Sequence, residues 1–359
     1  MDITKIDNNF KIHSITETDI EWFDASDKMF CLHGLSYCKN EERFRRLPFE
    51  VAKATSEGVA NLSIHTAGGR LRFCTNSPYV AIKCFTDAGY VMSHMPILGS
   101  HGFSLYTNGV FAGMYAPTIQ QYNQAVCNNC DLEFDGLRYV IGNEGAVELY
   151  FPLYNGVKKL FIGLKRGSAL FKAEDYKISK PLLFYGSSIT QGGCASRPGN
   201  DYISLLSRKL NFDFINLGFS GCAKAEPAIA EYIAKQKVSV FVLDYDYNAP
   251  NADYLKQTHY PLYKKIRDKN PFVPIVLISK PNFFEGGVED SVARRAVILQ
   301  TYNKAKSEGD NNIYFIDGEM LFGSDCRDSC TVDNCHPNDL GFYRMATAIE
   351  PVLKEVLKC

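Results

Sequence analysis

From Pro181 to its C-terminus the chain alternates short apolar runs with helix-like segments, and no other feature constrains the fold as much. The runs Leu182–Tyr185, Phe212–Asn216, Val238–Asp244, Pro274–Ile278 and Ile313–Ile316 have strand length. Helix-like segments lie near Tyr202–Leu210, Pro227–Lys235, Tyr254–Asp268 and Asp290–Ser307, and a last one runs from Leu340 to Leu357. Such alternation predicts an α/β architecture: a parallel sheet covered on both faces, with right-handed crossovers. Five strands in this span fit a flavodoxin-like order.

The preceding residues follow another rule. Strand-like runs at Val59–His65, Leu71–Cys74, Tyr79–Phe85, Gly102–Tyr106, Tyr139–Ile141, Ala146–Phe151 and Lys159–Leu164 are separated by turn signals such as Gly68-Gly69, Thr107-Asn108-Gly109 and Tyr154-Asn155-Gly156. Regular strand spacing with such turns predicts an all-β sandwich or jelly roll. The segment Leu170–Lys180 is charged and ends at Pro181. A chain of 359 residues is long for one core. We therefore expect two domains, residues 1–178 and 179–359.

Composition removes some classes of function. The net charge is −1 and no block of like charge stands out, which gives no basis for binding nucleic acid or a membrane surface. The first residues lack the apolar core of a signal peptide and no run reaches membrane-spanning length, so a cytoplasmic protein is expected. In that compartment most of the 12 cysteines should be reduced and buried. Cys127 and Cys130 form a lone CxxC without a matching second pair, and no metal is expected. Aromatic residues make up 13% of the chain, which suits strand packing more than a carbohydrate-facing cleft.

Four segments leave predicted strands at the carboxyl edge, where open α/β sheets bind ligands. Gly186-Ser187-Ser188-Ile189-Thr190 offers Ser188 as a nucleophile, although such a cluster also makes an ordinary turn or helix cap. Asn216-Leu217-Gly218-Phe219-Ser220-Gly221 offers the Gly221 N–H to an oxyanion, or is a plain glycine-rich loop. Asp244-Tyr245-Asp246-Tyr247-Asn248 offers the Asn248 amide. The paired aspartates there could suggest a glycosidase or metal site, but no second acidic cluster supports one, and a cap or strand-end role fits better. Asp333-Asn334-Cys335-His336-Pro337 supplies a base with an orienting acid three residues before it. The other six histidines read as surface or packing residues, with His94 and His101 the two that could reach the cleft from the first domain.

Taken together, the second domain resembles an SGNH (GDSL-type) hydrolase. That family carries a serine nucleophile in Gly-Asp-Ser, an oxyanion glycine, an oxyanion asparagine and a C-terminal Asp-x-x-His. The resemblance implies Ser188 as nucleophile, His336 as base and Asp333 as its orienting acid. It also implies an oxyanion hole of the Ser188 and Gly221 N–H groups with the Asn248 side chain. Ser187 stands where the family has Asp, and Asp246 where a Gly is usual. Residues 192–199 are similar to a subgroup with an N-terminal β-sandwich bearing Gly-x-Asp-Leu-Tyr, and Gly102-Phe103-Ser104-Leu105-Tyr106 is similar with Ser104 for Asp. The implied activity is hydrolysis of short acyl esters, acetyl foremost, on carbohydrates or small molecules, without a cofactor. Arg197 is a substrate-binding candidate or a surface arginine. An acyltransferase using the same triad, and a non-catalytic carbohydrate-binding protein, are the alternatives; intact Ser188, Asp333 and His336 argue against the latter. Homo-oligomerisation is left open.

Overall fold

Residue 6 and residues 15–140, 145–281 and 288–359 are described in the computed structural model. Period-two alternation builds the N-terminal half. Its strands are β1 (Ile20–Asp24), β2 (Cys31–His33), β3 (Ser36–Cys38), β4 (Arg43–Arg45), β5 (Arg70–Thr75), β6 (Tyr79–Thr86), β7 (Phe103–Thr107), β8 (Val110–Tyr115), β9 (Leu132–Tyr139), β10 (Gly145–Tyr150), β11 (Val157–Lys165) and β12 (Leu170–Phe171). One antiparallel sheet has the order β1-β11-β6-β9; the other runs β12-β5-β10-β7-β8, with β2 also paired to β5. Leu71, Phe73, Leu105, Val147 and Leu149 of the second sheet share a core with Ile82, Phe134, Leu160 and Ile162 of the first. This is a sandwich. The β7–β8 connection takes left-handed φ values at Asn108 (+50°) and Gly109 (+77°), the conformation that makes Asn-Gly a hairpin signal.

The all-β expectation needs correcting at one run. Val59–His65 is not a strand: helix α1 (Phe49–Thr55) is followed by α2 (Glu57–Leu62). Ser56 caps α2 by accepting the Val59 N–H at 3.2 Å, and Val59 packs into the core of the C-terminal half. Apolar residues in so short a run do not distinguish the two structures by periodicity. Two further helices, α3 (Ile97–His101) and α4 (Ile119–Asn128), interrupt the strands. Of the expected run Tyr139–Ile141, Tyr139 ends β9, and Ile141 lies outside the described residues.

The C-terminal half follows the predicted alternation: β13 (Ile178–Gly186), α5 (Ser188–Gln191), α6 (Tyr202–Leu210), β14 (Phe212–Gly218), α7 (Pro227–Ala234), β15 (Val240–Asp244), α8 (Ala252–Lys269), β16 (Ile275–Ile278), α9 (Val288–Ser307), β17 (Ile313–Ile316) and α10 (Asp339–Leu357). The sheet order is β14-β13-β15-β16-β17, and every pairing is parallel. This is the flavodoxin-like order. Successive residues enter opposite cores: Leu182 and Phe184 of β13 pack on one face, Leu183 and Tyr185 on the other. A sheet buried on both faces needs unbroken apolar strands, which is why these runs are so plain in the sequence. β13 starts at Ile178, before Pro181, with irregular pairing up to Leu182.

The halves meet at a polar joint. Arg46 is buried and donates to the carbonyls of His65 (2.7 Å), Leu62 (2.7 Å) and Gly218 (2.6 Å), the last at the end of β14. Its guanidinium lies 4.8 Å from the Phe219 ring centroid. Burial pulls its pKa down to about 9, which still leaves it charged at neutral pH. Arg70, fully buried in β5, pairs with Asp213 and lies 3.6 Å over the Phe214 ring. His33 also meets Asp213, at 3.1 Å, a pairing that no sequence pattern announces.

Candidate active site

The carboxyl ends of β13, β14, β15 and the loop after β17 converge. Gly186 ends β13, and Ser187 caps α5 by accepting the Ile189 N–H at 3.1 Å. The residue that departs from the family's Asp thus supplies the helix cap. Ser188 opens the short helix and is 6% exposed. Its hydroxyl donates to His336 Nε2 at 3.0 Å. On the other side of the ring, Nδ1 lies 2.7 Å from Asp333 Oδ2. A carboxylate only accepts, so Nδ1 carries the proton and Nε2 presents a lone pair to Ser188.

The Asp333–His336 turn is built to hold that geometry. Asp333 Oδ1 accepts the N–H groups of Cys335 (3.1 Å) and His336 (2.7 Å), an Asx-type turn, and Asn334 takes a left-handed φ of +64°. Burial raises the Asp333 pKa, but the hydrogen bonds from the His336 backbone and ring outweigh it, and the carboxyl titrates below its usual range. Val332 N–H bonds the His336 carbonyl at 3.0 Å, and Asn338 caps α10 immediately beyond.

Gly221 has φ +67°, and the space where a Cβ would stand is open. A side chain there would meet no neighbour but would be strained by the left-handed backbone. The Phe219 carbonyl gathers the N–H groups of Cys222 (2.9 Å) and Ala223 (3.2 Å) and the Asn248 amide (2.7 Å). Asn248 ends a single 3₁₀ turn after β15, so its side chain is tied to the Gly221 loop. That turn is fixed from behind by buried Arg294 of α9, which donates to the carbonyls of Asp246 (2.5 Å) and Ala249 (2.6 Å).

Asp244 and Asp246 are both buried but do not share one site. Asp244 accepts from Thr190 (3.0 Å) in α5 and from Tyr202 (3.2 Å); burial first, then the charge of Asp246, raises its pKa far above the usual range. Asp246 accepts the Lys280 N–H at 3.0 Å, and burial pushes its pKa up to about 6. The strand-end role is therefore the one these contacts fit.

Sequence reading missed the residues that brace Ser188. Gln191 donates to the Leu153 carbonyl (3.1 Å) and to His65 Nδ1 (3.2 Å) and accepts the Ser220 N–H (3.1 Å), linking α5 to the sandwich and to the Gly221 loop. Tyr154 donates to the Ser188 carbonyl at 3.2 Å. No local spacing signals these pairs, because each spans 29 to 126 positions in the chain. Arg197 turns towards the sandwich, donating to Tyr106 Oη at 2.6 Å with its guanidinium 3.8 Å from the Phe111 ring centroid. Tyr106 closes the motif-like Gly102–Tyr106 stretch. His101 is buried against Ser100 and the Ala88 carbonyl, whereas His94 does reach the cleft, its ring centroid 5.7 Å from that of His336.

Most of the 12 free cysteines are not buried, contrary to expectation; only Cys84, Cys194 and Cys330 are. Cys127 and Cys130 are exposed and gain no third metal-type ligand among the described residues. No helix among the described residues is long and apolar enough to cross a membrane.

Residues 179–354 match the GDSL-like lipase/acylhydrolase family model, and residues 20–170 match the model for the N-terminus of SGNH-hydrolase-type esterases. The chain belongs to the SGNH (GDSL-type) ester hydrolases. Similar solved structures cover nearly all of this hydrolase. A protein described as a GDSL-like lipase from Bacteroides ovatus is 29% identical, with a TM-score of 0.82 over 94% of this chain and 98% of its own. The salicylyl-acyltransferase of a tetracycline biosynthetic pathway shares the fold at 20% identity, with a TM-score of 0.78 over 95% and 99%. An acetyl xylan esterase from the rumen bacterium Butyrivibrio proteoclasticus does so at 14% identity, with a TM-score of 0.59 over 95% and 99%. No curated protein sequence matches the chain. The family and the neighbours agree on acyl-transfer chemistry in general.

Proposed function

We propose that this SGNH hydrolase cleaves short acyl esters, acetyl esters foremost, through an acyl-enzyme on Ser188. The observation that carries the reading is the unbroken path from Ser188 Oγ through His336 (3.0 Å) to Asp333 (2.7 Å). His336 Nε2 takes the hydroxyl proton as Oγ attacks the acyl carbon, and Asp333 holds the ring in the required tautomer and stabilises the imidazolium. The developing oxyanion is received by the N–H groups of Ser188 and Gly221 and by the Asn248 amide, which the Phe219 contact orients. His336 then protonates the leaving alcohol, and water repeats the cycle on the acyl-enzyme. The mechanism needs no cofactor.

An acylated carbohydrate is the substrate class we favour. Its support is the sandwich-plus-hydrolase arrangement shared with the acetyl xylan esterase. The test is hydrolysis of p-nitrophenyl esters of increasing chain length, and of acetylated xylo-oligosaccharides, by wild type beside Ser188→Ala. We expect acetate to be cleaved best, and the variant to lose about 10⁴-fold or more of kcat. Equal activity in both proteins would overturn the nucleophile assignment. Release of p-nitrophenol only when an alcohol acceptor is added would replace the hydrolase by an acyltransferase.

A further inference from the structure

His94, Cys194 and His336 form a group that ester hydrolysis does not use as a unit. Their ligand atoms all lie within 4.8 Å of one another. Three separate parts of the chain supply them: the loop before α3, the residues just after α5, and the turn before α10. Cys194 is buried, His336 half-buried and His94 exposed. We propose that these three side chains form a site for a thiophilic divalent cation of the zinc type, and that filling it switches the active site off.

The ligand chemistry selects the ion class. Two imidazoles and one thiolate suit zinc or cobalt(II) and not magnesium or calcium, which prefer oxygen. Metal–N bonds of about 2.0–2.1 Å and a metal–S bond of about 2.3 Å put tetrahedral ligand atoms roughly 3.5 Å apart. The present spread, up to 4.8 Å, must therefore tighten by about 1 Å, and His94, the exposed member, is the least constrained of the three. His336 is prepared for the role. Its Nδ1 is committed to Asp333, which leaves Nε2 for the metal and yields a carboxylate–histidine–metal arrangement.

The same Nε2 accepts the Ser188 hydroxyl proton. A metal there leaves Ser188 without its base, so occupancy and catalysis exclude each other. Binding is a ligand exchange with no redox change: the cation gains two imidazole nitrogens and the Cys194 sulfur, one proton leaves the thiol to solvent, and a water completes the fourth position. The inhibitory half of the inference rests on the role proposed for His336; metal binding itself does not.

The experiment uses the full chain carrying Cys127→Ser and Cys130→Ser, which removes the exposed thiol pair as a competing site. Cobalt(II) is titrated and the thiolate-to-cobalt charge-transfer absorption recorded; zinc inhibition of p-nitrophenyl acetate hydrolysis is measured against each variant's own metal-free rate. We expect one cobalt per chain, loss of the charge-transfer band in Cys194→Ser, and zinc inhibition weakened at least about tenfold in His94→Ala. The band should persist in Ser188→Ala, where binding is read without activity. An unchanged band in Cys194→Ser, zinc inhibition unaltered in His94→Ala, or full activity with the site occupied would each overturn the proposal. Should Cys194→Ser fail to fold, the exposed His94 decides alone. Should wild type hydrolyse no ester, the function proposed above fails while the cobalt spectrum still judges the site.

Discussion

Strand β9 of the sandwich and strand β13 of the hydrolase sheet bury their side chains by different rules. In β9, Leu132 and Phe134 are buried while Glu133 and Asp135 face solvent. In β13 everything from Leu182 to Gly186 is buried. The outer face of the first sheet is wet at Glu133 and Asp135 and carries only a small apolar cluster around Tyr79, Ala81 and Leu137, whereas the second sheet is packed on both faces. The difference extends to function. The proposed nucleophile, base, acid and oxyanion donors all leave the fully buried parallel sheet or its last loop. The sandwich contributes braces instead: Arg46 on the Gly218 carbonyl, Tyr154 on the Ser188 carbonyl, and His65 and Leu153 on Gln191. The proposed chemistry thus falls to one half, and the other holds its loops in place.

The strongest test of that division, after loss of Ser188, is to cut a brace. Arg46→Leu leaves several buried carbonyls without a donor, and we expect a loss of about 3–5 kcal/mol of stability in urea denaturation. An effect below about 1 kcal/mol would mean that the joint is not what secures the Gly221 loop. Asn248→Ala should act on the opposite side of the comparison. It should cost about 3–4 kcal/mol of transition-state stabilisation in kcat/KM while the melting temperature moves little. A large change in melting temperature with kcat intact would make Asn248 a structural tie only.

The dryness of the α/β half gives a pH test. His259 of α8 is buried, bonded to Thr301 at 2.9 Å and stacked on Tyr245. Burial pulls its pKa from 6.5 down to about 3. Between those values the unfolded chain binds a proton that the folded one refuses, so stability falls as pH drops through this window. The contribution is up to about 1.4 kcal/mol per pH unit. Chemical denaturation across the window should show the slope reduced by one proton in His259→Gln; an unaltered slope would mean that the ring is hydrated. The smallest effect is expected at Arg197. Held by Tyr106 and Phe111, Arg197→Ala should lose about 1 kcal/mol of stability and leave KM near the wild-type value. A tenfold rise in KM at unchanged stability would make it the substrate contact that its place after Ser188 first suggested.

The same contrast explains what the sequence allowed to be read. Strands buried on both faces give continuous apolar runs, so all five parallel strands and their helices were legible within a few residues. The candidates Ser188, Gly221, Asn248, Asp333 and His336 could be picked out because each sits directly beyond such a run or in a short local turn, and the structure brings Ser188, His336 and Asp333 into one hydrogen-bonded series. Val59–His65 misled because a short apolar run that packs across the joint has the same composition whether helix or strand. Gln191, Tyr154 and Arg46 carry no local mark at all. Their roles exist only once distant segments meet, and an uncharged Gln at the end of a short helix or Tyr in a loop has no spacing from which to infer a partner.

The most direct test of the central claim is covalent. An alkyl fluorophosphonate, which reacts with a serine only when a base and an oxyanion hole activate it, should label the full-length protein once per chain. Peptide mapping should locate the adduct on Ser188, ester hydrolysis should fall in proportion to labelling, and Ser188→Ala and His336→Ala should stay unlabelled. An adduct on another residue, or full hydrolysis by the labelled protein, would contradict the account.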